Sequence, residues 1–160
     1  MEKIRVLFIC LGNICRSPMA KAIFVHRLKE AGLDQNVEVD SAGLGGWHEG
    51  EKADERTLKV LARHGVALEH RARQIRPRDL FDFHYLVVMD NANYERVEQM
   101  MRSRRTDAQL LKMAQFDPNG KTDVPDPYHG DDKQFEAVYE QLDRACAGLL
   151  NFLKQRHGWE

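Results

Sequence analysis

Short apolar segments alternate along this chain with longer segments of helical periodicity, and this alternation restricts the possible folds more than any other feature. The apolar segments predict strands at residues 4–9, 37–39, 85–89 and 110–116. The intervening patterns predict helices at residues 18–31, 53–64, 91–102 and 135–152. Strands that alternate with helices are joined by right-handed crossovers. The sequence therefore predicts an α/β fold, a small parallel sheet covered by helices on both faces.

Composition and charge narrow the class of protein further. The chain has 160 residues, 42% apolar and 31% charged, which is typical of one globular domain spanning residues 1–160. Its 24 Lys and Arg balance 25 Asp and Glu, so no basic field attracts nucleic acid or anionic lipid. The apolar segments are too short to span a bilayer, and the N-terminus lacks the apolar region of a signal peptide. We therefore expect a cytoplasmic protein without nucleic-acid or membrane partners.

Residues 10–17 follow the first predicted strand and have the composition of an anion-binding loop. In open α/β sheets, ligands bind beyond the carboxyl ends of the strands. Gly12 and Asn13 tolerate the left-handed conformations that a tight loop needs. Ser17 and Pro18 are typical of a helix N-cap and the first helical position. Backbone N–H groups that converge at a helix N-terminus bind a tetrahedral oxyanion, so we expect a phosphate site here.

The side chains of this loop add a nucleophile to the anion site. Cys10 and Arg16 are separated by five residues. The dipoles that bind phosphate also stabilise a Cys10 thiolate, Ser17 can donate a hydrogen bond to the sulfur, and Arg16 can bind two anion oxygens. A buried cysteine and a solvated arginine are the alternative interpretation, which the surrounding strand and helix signals disfavour. The loop lacks the Gly-Lys-Ser/Thr of nucleotide P-loops and the Cys-x-x-Cys of thioredoxins.

The segment at residues 6–20 resembles the N-terminal signature of the low-molecular-weight protein tyrosine phosphatases; it reads VLFICLGNICRSPMA. The resemblance continues at residues 40–43, 70–74, 88–90 and 126–128. It implies a single Rossmann-like domain with a four-stranded parallel sheet flanked by helices on both faces. It also implies a phosphomonoesterase without cofactor or metal, which acts on phosphotyrosine proteins and releases inorganic phosphate, both product and inhibitor. We expect a monomer or weak dimer.

A cysteine phosphatase also needs an acid to protonate the departing phenolate. The predicted loop at residues 117–132 contains five aspartates: Asp117, Asp123, Asp126, Asp131 and Asp132. From composition alone, the cluster could equally be a solvated turn, and it lacks the spacing of an EF-hand metal site. The family resemblance assigns the general acid to Asp126, the first residue of Asp-Pro-Tyr.

The resemblance also implies the walls and supports of the site. The expected phosphate- and substrate-binding residues are Leu11, Gly12, Asn13, Ile14, Cys15, Ser17, Trp47 and Tyr128. Among these, Trp47 and Tyr128 would flank a phosphotyrosine ring, although Trp47 could instead be a loop residue packed on the body. His129 stands where vertebrate members often carry a second tyrosine. Ser41 and His70 are expected to support the loop with Asn13, and Asp90 to hold Arg16 or His70.

The three cysteines are expected to differ in role. Cys10 is the nucleophile, and Cys15 is close enough to form a reversible disulfide that protects it from irreversible oxidation. Cys146 lies on the apolar side of the last predicted helix and is expected to be a buried, inert thiol.

Three functions are compatible with these residues. The first is a protein-tyrosine phosphatase that works through a cysteinyl-phosphate intermediate. The second is a thioredoxin-coupled arsenate reductase of the same fold, which uses two further cysteines near the third strand; residues 75–95 contain none. The third is a non-catalytic oxyanion-binding module, which would lack the nucleophile or the acid.

Overall fold

The computed structural model describes residues 2–160 and shows a four-stranded sheet flanked by helices. The strands are Ile4–Cys10 (β1), Val37–Gly43 (β2), Tyr85–Val88 (β3) and Gln109–Lys112 (β4). The helices are Arg16–Glu30 (α1), Glu55–Arg63 (α2), Asp79–Asp82 (α3), Asn91–Arg102 (α4) and Asp132–His157 (α5), with a 3₁₀ helix at Met113–Phe116. All strand pairs are parallel, in the order β2-β1-β3-β4. The predicted α/β class and the four-stranded parallel sheet are confirmed.

Alternate residues of the central strand β1 face two separate apolar layers. Val6 and Phe8 belong to the larger cluster, with apolar residues of α1, α2 and α5. Leu7 and Ile9 belong to the smaller cluster on the other face, with Val97 of α4. A parallel strand that is buried on both faces requires the continuous apolar sequence seen in β1.

The order of the strands places the end of β1 at a crevice. Cys10 pairs with Gly43 of β2 on one side, and Ile9 pairs with Val88 of β3 on the other. The chain therefore leaves β1 between two neighbouring strands, at the topological switch point where ligands bind in open α/β sheets. Within residues 2–160, none of the helices combines the length and apolar character that a membrane crossing requires.

Several local predictions differ from the structure. β2 continues four residues beyond the predicted strand at 37–39, α5 extends five residues beyond the predicted end at residue 152, and the short helix α3 was not predicted. Two further predictions were wrong. Ser17 is not the N-cap of α1: the helix begins at Arg16, and the buried Ser17 hydroxyl instead contacts Cys10 and Asn13. The predicted strand at residues 110–116 ends at Lys112. There the Gln115 side chain accepts a hydrogen bond from the Lys112 backbone N–H, which stabilises the turn into the 3₁₀ helix.

Candidate active site

Residues 11–15 form a tight loop between β1 and α1, and its shape depends on Asn13. This buried residue has a φ of 59°, in the left-handed region. Its Nδ2 donates to the Oγ atoms of Ser17 (2.8 Å) and Ser41 (3.0 Å), and its Oδ1 accepts from the backbone N–H of Arg73 (3.0 Å). The Nε2 of His70 donates to the Asn13 carbonyl at 2.7 Å. Burial lowers the pKa of His70, so the neutral imidazole is favoured in this position.

The sulfur of Cys10 lies at the base of this loop. Cys10 is the last residue of β1 and is only 3% exposed. Its Sγ lies 3.0 Å from Ser17 Oγ. Because the Ser17 oxygen accepts from Asn13, the hydroxyl hydrogen is free to donate to the sulfur. A thiolate at Cys10 would thus be stabilised by a hydrogen bond that the loop itself orients.

The N-terminus of α1 faces the loop without side-chain caps. Cys15, at the N-cap, makes no side-chain hydrogen bond to the helix, and the first turn contains no acidic residue. The free N–H groups and the positive end of the helix dipole therefore remain available to an anion. Gly43 of β2 packs directly behind: a methyl group there would lie 2.9 Å from the carbonyl carbon of Gly12.

Arg16 is buried and held in one orientation. Its side chain is 2% exposed, and its Nη1 donates to Asp90 Oδ2 (2.7 Å) and to the Val124 carbonyl (2.9 Å). Burial opposes the charge, but Cys10 and the nearby carboxylates outweigh it, and the pKa of Arg16 lies above its ordinary value. Of the two partners expected for Asp90, the structure gives Arg16. The cationic guanidinium is thus oriented before any ligand arrives.

Asp126 lies across the cavity from the loop. Its carboxylate is 41% exposed, with Oδ2 3.7 Å from Arg16 Nη2, and its Oδ1 accepts from the Tyr128 backbone N–H at 3.1 Å. The remaining aspartates of this segment have other partners: Asp117 with Arg144, Asp123 with Lys112, and Asp131 and Asp132 at the start of α5. Asp126 is therefore the loop aspartate whose carboxylate is placed to exchange a proton with a ligand beside Cys10.

These groups surround a cavity of about 280 Å³. Its lining residues are Cys10, Leu11, Gly12, Ile14, Cys15, Arg16, Trp47, His48, Asp126, Tyr128 and His129. The mouth carries exposed apolar side chains, among them Trp47 (69% exposed) and Tyr128 (40%). Trp47 is therefore largely exposed, with its ring against the backbone of Gly45 in the same loop. A polar base beneath an aromatic mouth fits a phosphate that carries an aryl group.

Some site residues were missed by reasoning from the sequence. His48 lines the cavity, with its Nδ1 2.9 Å from Glu51 Oε2. Its position next to Trp47 is a signal that could have been used. The Val124 carbonyl and the Arg73 N–H are backbone groups that every non-proline residue type supplies, so no side-chain pattern indicates them.

The other two cysteines occupy different environments. Cys15 is buried in the loop beside the cavity, where burial and the carboxylate of Asp54 raise the pKa of its thiol. Cys146 is fully buried in α5, and burial likewise raises the pKa of its thiol. All three cysteines are free thiols in the structure, and the reversible Cys10–Cys15 disulfide stays a prediction. Within residues 2–160, no three His, Cys, Asp or Glu side chains are grouped as metal ligands.

Comparison with known proteins gives matches over nearly the whole chain. The family model of low molecular weight phosphotyrosine protein phosphatase matches residues 5–158. A low molecular weight protein-tyrosine-phosphatase from Streptomyces coelicolor is 43% identical over 155 residues, 95% of this chain and 94% of that protein. The crystal structure of a protein tyrosine phosphatase from Entamoeba histolytica has a TM-score of 0.90 and 36% identity, covering 98% and 99% of the two chains. A Drosophila arginine phosphatase has a TM-score of 0.89 and 34% identity, covering 93% and 97%.

Proposed function

This chain belongs to the low molecular weight phosphotyrosine protein phosphatase family, and we propose that it hydrolyses aryl phosphate monoesters of phosphotyrosine proteins through a cysteinyl-phosphate intermediate. The observation that carries the proposal is the meeting of Cys10, Arg16 and Asp126 around one cavity with an aromatic mouth. The first supplies a nucleophile, the second binds phosphate, and the third supplies an acid.

In the first step, the phosphate binds to the N–H groups of the loop and to Arg16. The Cys10 thiolate attacks phosphorus as the bond between phosphorus and the phenolic oxygen breaks. Asp126 donates its proton to the departing oxygen, so that a neutral phenol leaves and a carboxylate remains. Arg16 stabilises the charge on the transferring group, because its orientation is already fixed by Asp90 and Val124.

In the second step, water replaces the phenol. The Asp126 carboxylate accepts a proton from the water, whose oxygen attacks phosphorus while the bond between sulfur and phosphorus breaks. The electron pair returns to Cys10, and the Ser17 hydroxyl at 3.0 Å stabilises the thiolate that forms. Inorganic phosphate is released, and because it fits the same loop it also inhibits.

The mouth of the cavity sets the substrate class. Trp47 and Tyr128 offer aromatic faces, and Leu11 and Ile14, which belong to the loop itself, offer apolar contacts. These surfaces favour a planar aryl group over a short alkyl group. We therefore expect phosphotyrosine to be a better substrate than phosphoserine, whose leaving group is a short alkyl alcohol.

The compartment of the enzyme can be inferred from its need for a reduced Cys10. A thiolate nucleophile requires a reducing compartment, which supports a cytoplasmic location, with Cys15 as a redox guard. We expect a monomer or weak dimer. Neither alternative function gains support, because residues 75–95 lack the cysteines of a reductase relay and the cavity has both nucleophile and acid.

The test compares three variants in p-nitrophenyl phosphate hydrolysis. Cys10→Ser should abolish turnover, whereas Cys146→Ala, which removes a cysteine from the core, should retain it. Asp126→Asn should lower turnover by about 10²-fold, the lower end of the range for loss of a general acid because p-nitrophenolate leaves readily, with little change in inhibition by phosphate. Full activity in Cys10→Ser would refute the mechanism. Thioredoxin-coupled arsenate reduction, which we do not expect, would favour the reductase.

A further inference from the structure

Arg56, in the first turn of α2, joins that helix to the segment that carries the acid. Its Nε and Nη2 donate to the two carboxylate oxygens of Asp54, each at 3.0 Å. The same guanidinium donates from Nη2 to the Tyr128 carbonyl and from Nη1 to the Gly130 carbonyl, both at 2.9 Å. It also lies 4.3 Å from the centre of the Phe135 ring. One side chain therefore connects α2 to α5 and to the acid loop, residues 117–131, which carries Asp126.

Asp126 lies between two residues whose backbone carbonyls accept hydrogen bonds from arginines, and one of these arginines is Arg56. A change at Arg56 can therefore affect catalysis. Two residues before the acid, the Val124 carbonyl accepts from Arg16, and the Val124 N–H donates to the Met89 carbonyl. Two residues after it, the Tyr128 carbonyl accepts from Arg56. Between these points, the hydrogen bond of the Asp126 carboxylate is to the Tyr128 backbone N–H. The Arg56 contact therefore holds Tyr128, the residue whose backbone N–H orients the acid.

We propose that Arg56 is a positioning residue, which holds Asp126 at the distance from the bound phosphate ester that proton transfer requires. The proposal rests on the function proposed for Cys10 and Asp126. Arg56 acts through the backbone carbonyls of Tyr128 and Gly130, and its guanidinium also lies 5.7 Å from the centre of the Tyr128 ring. Without it, residues 128–130 would lose two backbone hydrogen bonds to α2, and the carboxylate would sample positions too far from the leaving oxygen.

The geometry also explains why this position needs an arginine. The planar guanidinium binds the Asp54 carboxylate with two nitrogens and still reaches two carbonyl oxygens. A lysine has one nitrogen and cannot reproduce that fork. Burial would raise the pKa of Asp54, but hydrogen bonds from Arg56 outweigh it and hold the pKa below its ordinary value. The carboxylate is therefore ionised and keeps the guanidinium in place.

The test uses the dependence of the reaction on its leaving group. Phenyl phosphate has a poor leaving group that needs the acid, whereas p-nitrophenyl phosphate has a good one that needs it less. In Arg56→Met, kcat/KM should fall by about tenfold for phenyl phosphate and by less than about threefold for p-nitrophenyl phosphate. Inhibition by inorganic phosphate should stay unchanged. Arg56→Lys should give an intermediate loss of kcat/KM with phenyl phosphate, and this variant replaces Arg56→Met in the test if Arg56→Met does not fold.

Two controls separate positioning from a structural effect. Arg63 lies in the same helix and pairs with Glu136 of α5 at 3.6 Å, without a hydrogen bond to the acid loop. Arg63→Met should therefore leave the ratio of the kcat/KM values for the two substrates unchanged. In an Asp126→Asn background, Arg56→Met should cause no further loss with phenyl phosphate.

The outcomes distinguish this proposal from the function on which it rests. Equal losses with both substrates, or a full additional loss in the Asp126→Asn background, would overturn the positioning role of Arg56. If Asp126→Asn alone had no effect on phenyl phosphate, the assignment of the acid would fail first. If Asp126→Asn lowered activity and Arg56→Met did not, the proposed function would stand and the positioning role would fall.

Discussion

Replacement of Asn13 measures how much the left-handed turn of the loop at residues 11–15 depends on its side chain. In Asn13→Ala, three side-chain hydrogen bonds are lost, to Ser17, Ser41 and the Arg73 N–H. Each contributes about 1 kcal/mol net, and the buried partners are left without a replacement. Alanine at a φ of 59° adds about 1 kcal/mol of backbone strain. The free energy of unfolding should therefore fall by about 3 to 5 kcal/mol.

Comparison with glycine separates the two contributions. Asn13→Gly loses the same hydrogen bonds but adopts the left-handed conformation without strain, at a small cost in unfolded-state entropy. Because that entropy cost offsets part of the strain that is relieved, its free energy of unfolding should fall by about 0.5 kcal/mol less than that of Asn13→Ala. Asn119→Ala removes an exposed asparagine and should change stability by less than about 0.5 kcal/mol.

Urea denaturation followed by far-ultraviolet circular dichroism provides the measurement, with unchanged m-values as the condition for comparison. Inhibition by inorganic phosphate, measured on the same variants, reports on the loop itself and should weaken in both Asn13 variants. Equal losses of stability for alanine and glycine would refute the strain argument. A total loss below about 1 kcal/mol in Asn13→Ala would refute the argument from hydrogen bonds.

Three further predictions follow from other residues. Gly43→Ala places a methyl group 2.9 Å from the loop backbone, so the loop must shift and phosphate inhibition should weaken by about tenfold; unchanged inhibition would contradict the close approach. Burial holds the pKa of His70 below 6.5, so protons bind the unfolded chain more readily and the free energy of unfolding should decrease as pH falls below about 6.5. That decrease, measured in urea at pH 7.5 and 5.5, should be smaller in His70→Gln. Iodoacetamide should modify Cys10 first, and inorganic phosphate should protect it. Burial raises the pKa of the Cys15 and Cys146 thiols, so their alkylation, followed by peptide mapping, should be slow.

Much of the fold could be predicted because its signals are local. The buried apolar run of β1 and the periodicity of α5 are properties of consecutive residues, and both elements lie where the sequence indicates. The Ser17 N-cap was wrong because a tertiary contact decides the outcome. The Ser17 hydroxyl is used by Cys10 and Asn13, which leaves the first N–H groups of α1 free for an anion.

Features of the candidate site that depend on three-dimensional proximity could not be predicted from residue types. Composition offers five aspartates for the acid, and the structure places the Asp126 carboxylate 3.7 Å from Arg16. The carbonyls of Val124 and Tyr128 carry no side-chain signal, so the two arginine contacts that hold the acid loop appear only in three dimensions.

The contacts that orient the phosphate-binding loop also determine when the site can form. The loop is encoded within the first 17 residues, but its partners His70, Asp90 and Val124 lie 57, 74 and 108 positions further along the chain from the residues that they contact. Such separations make these contacts costly in loop-closure entropy, so they form late in folding. A nascent chain can therefore contain Cys10, the proposed nucleophile, long before its site has formed, and recovery of phosphatase activity should mark the last stage of refolding.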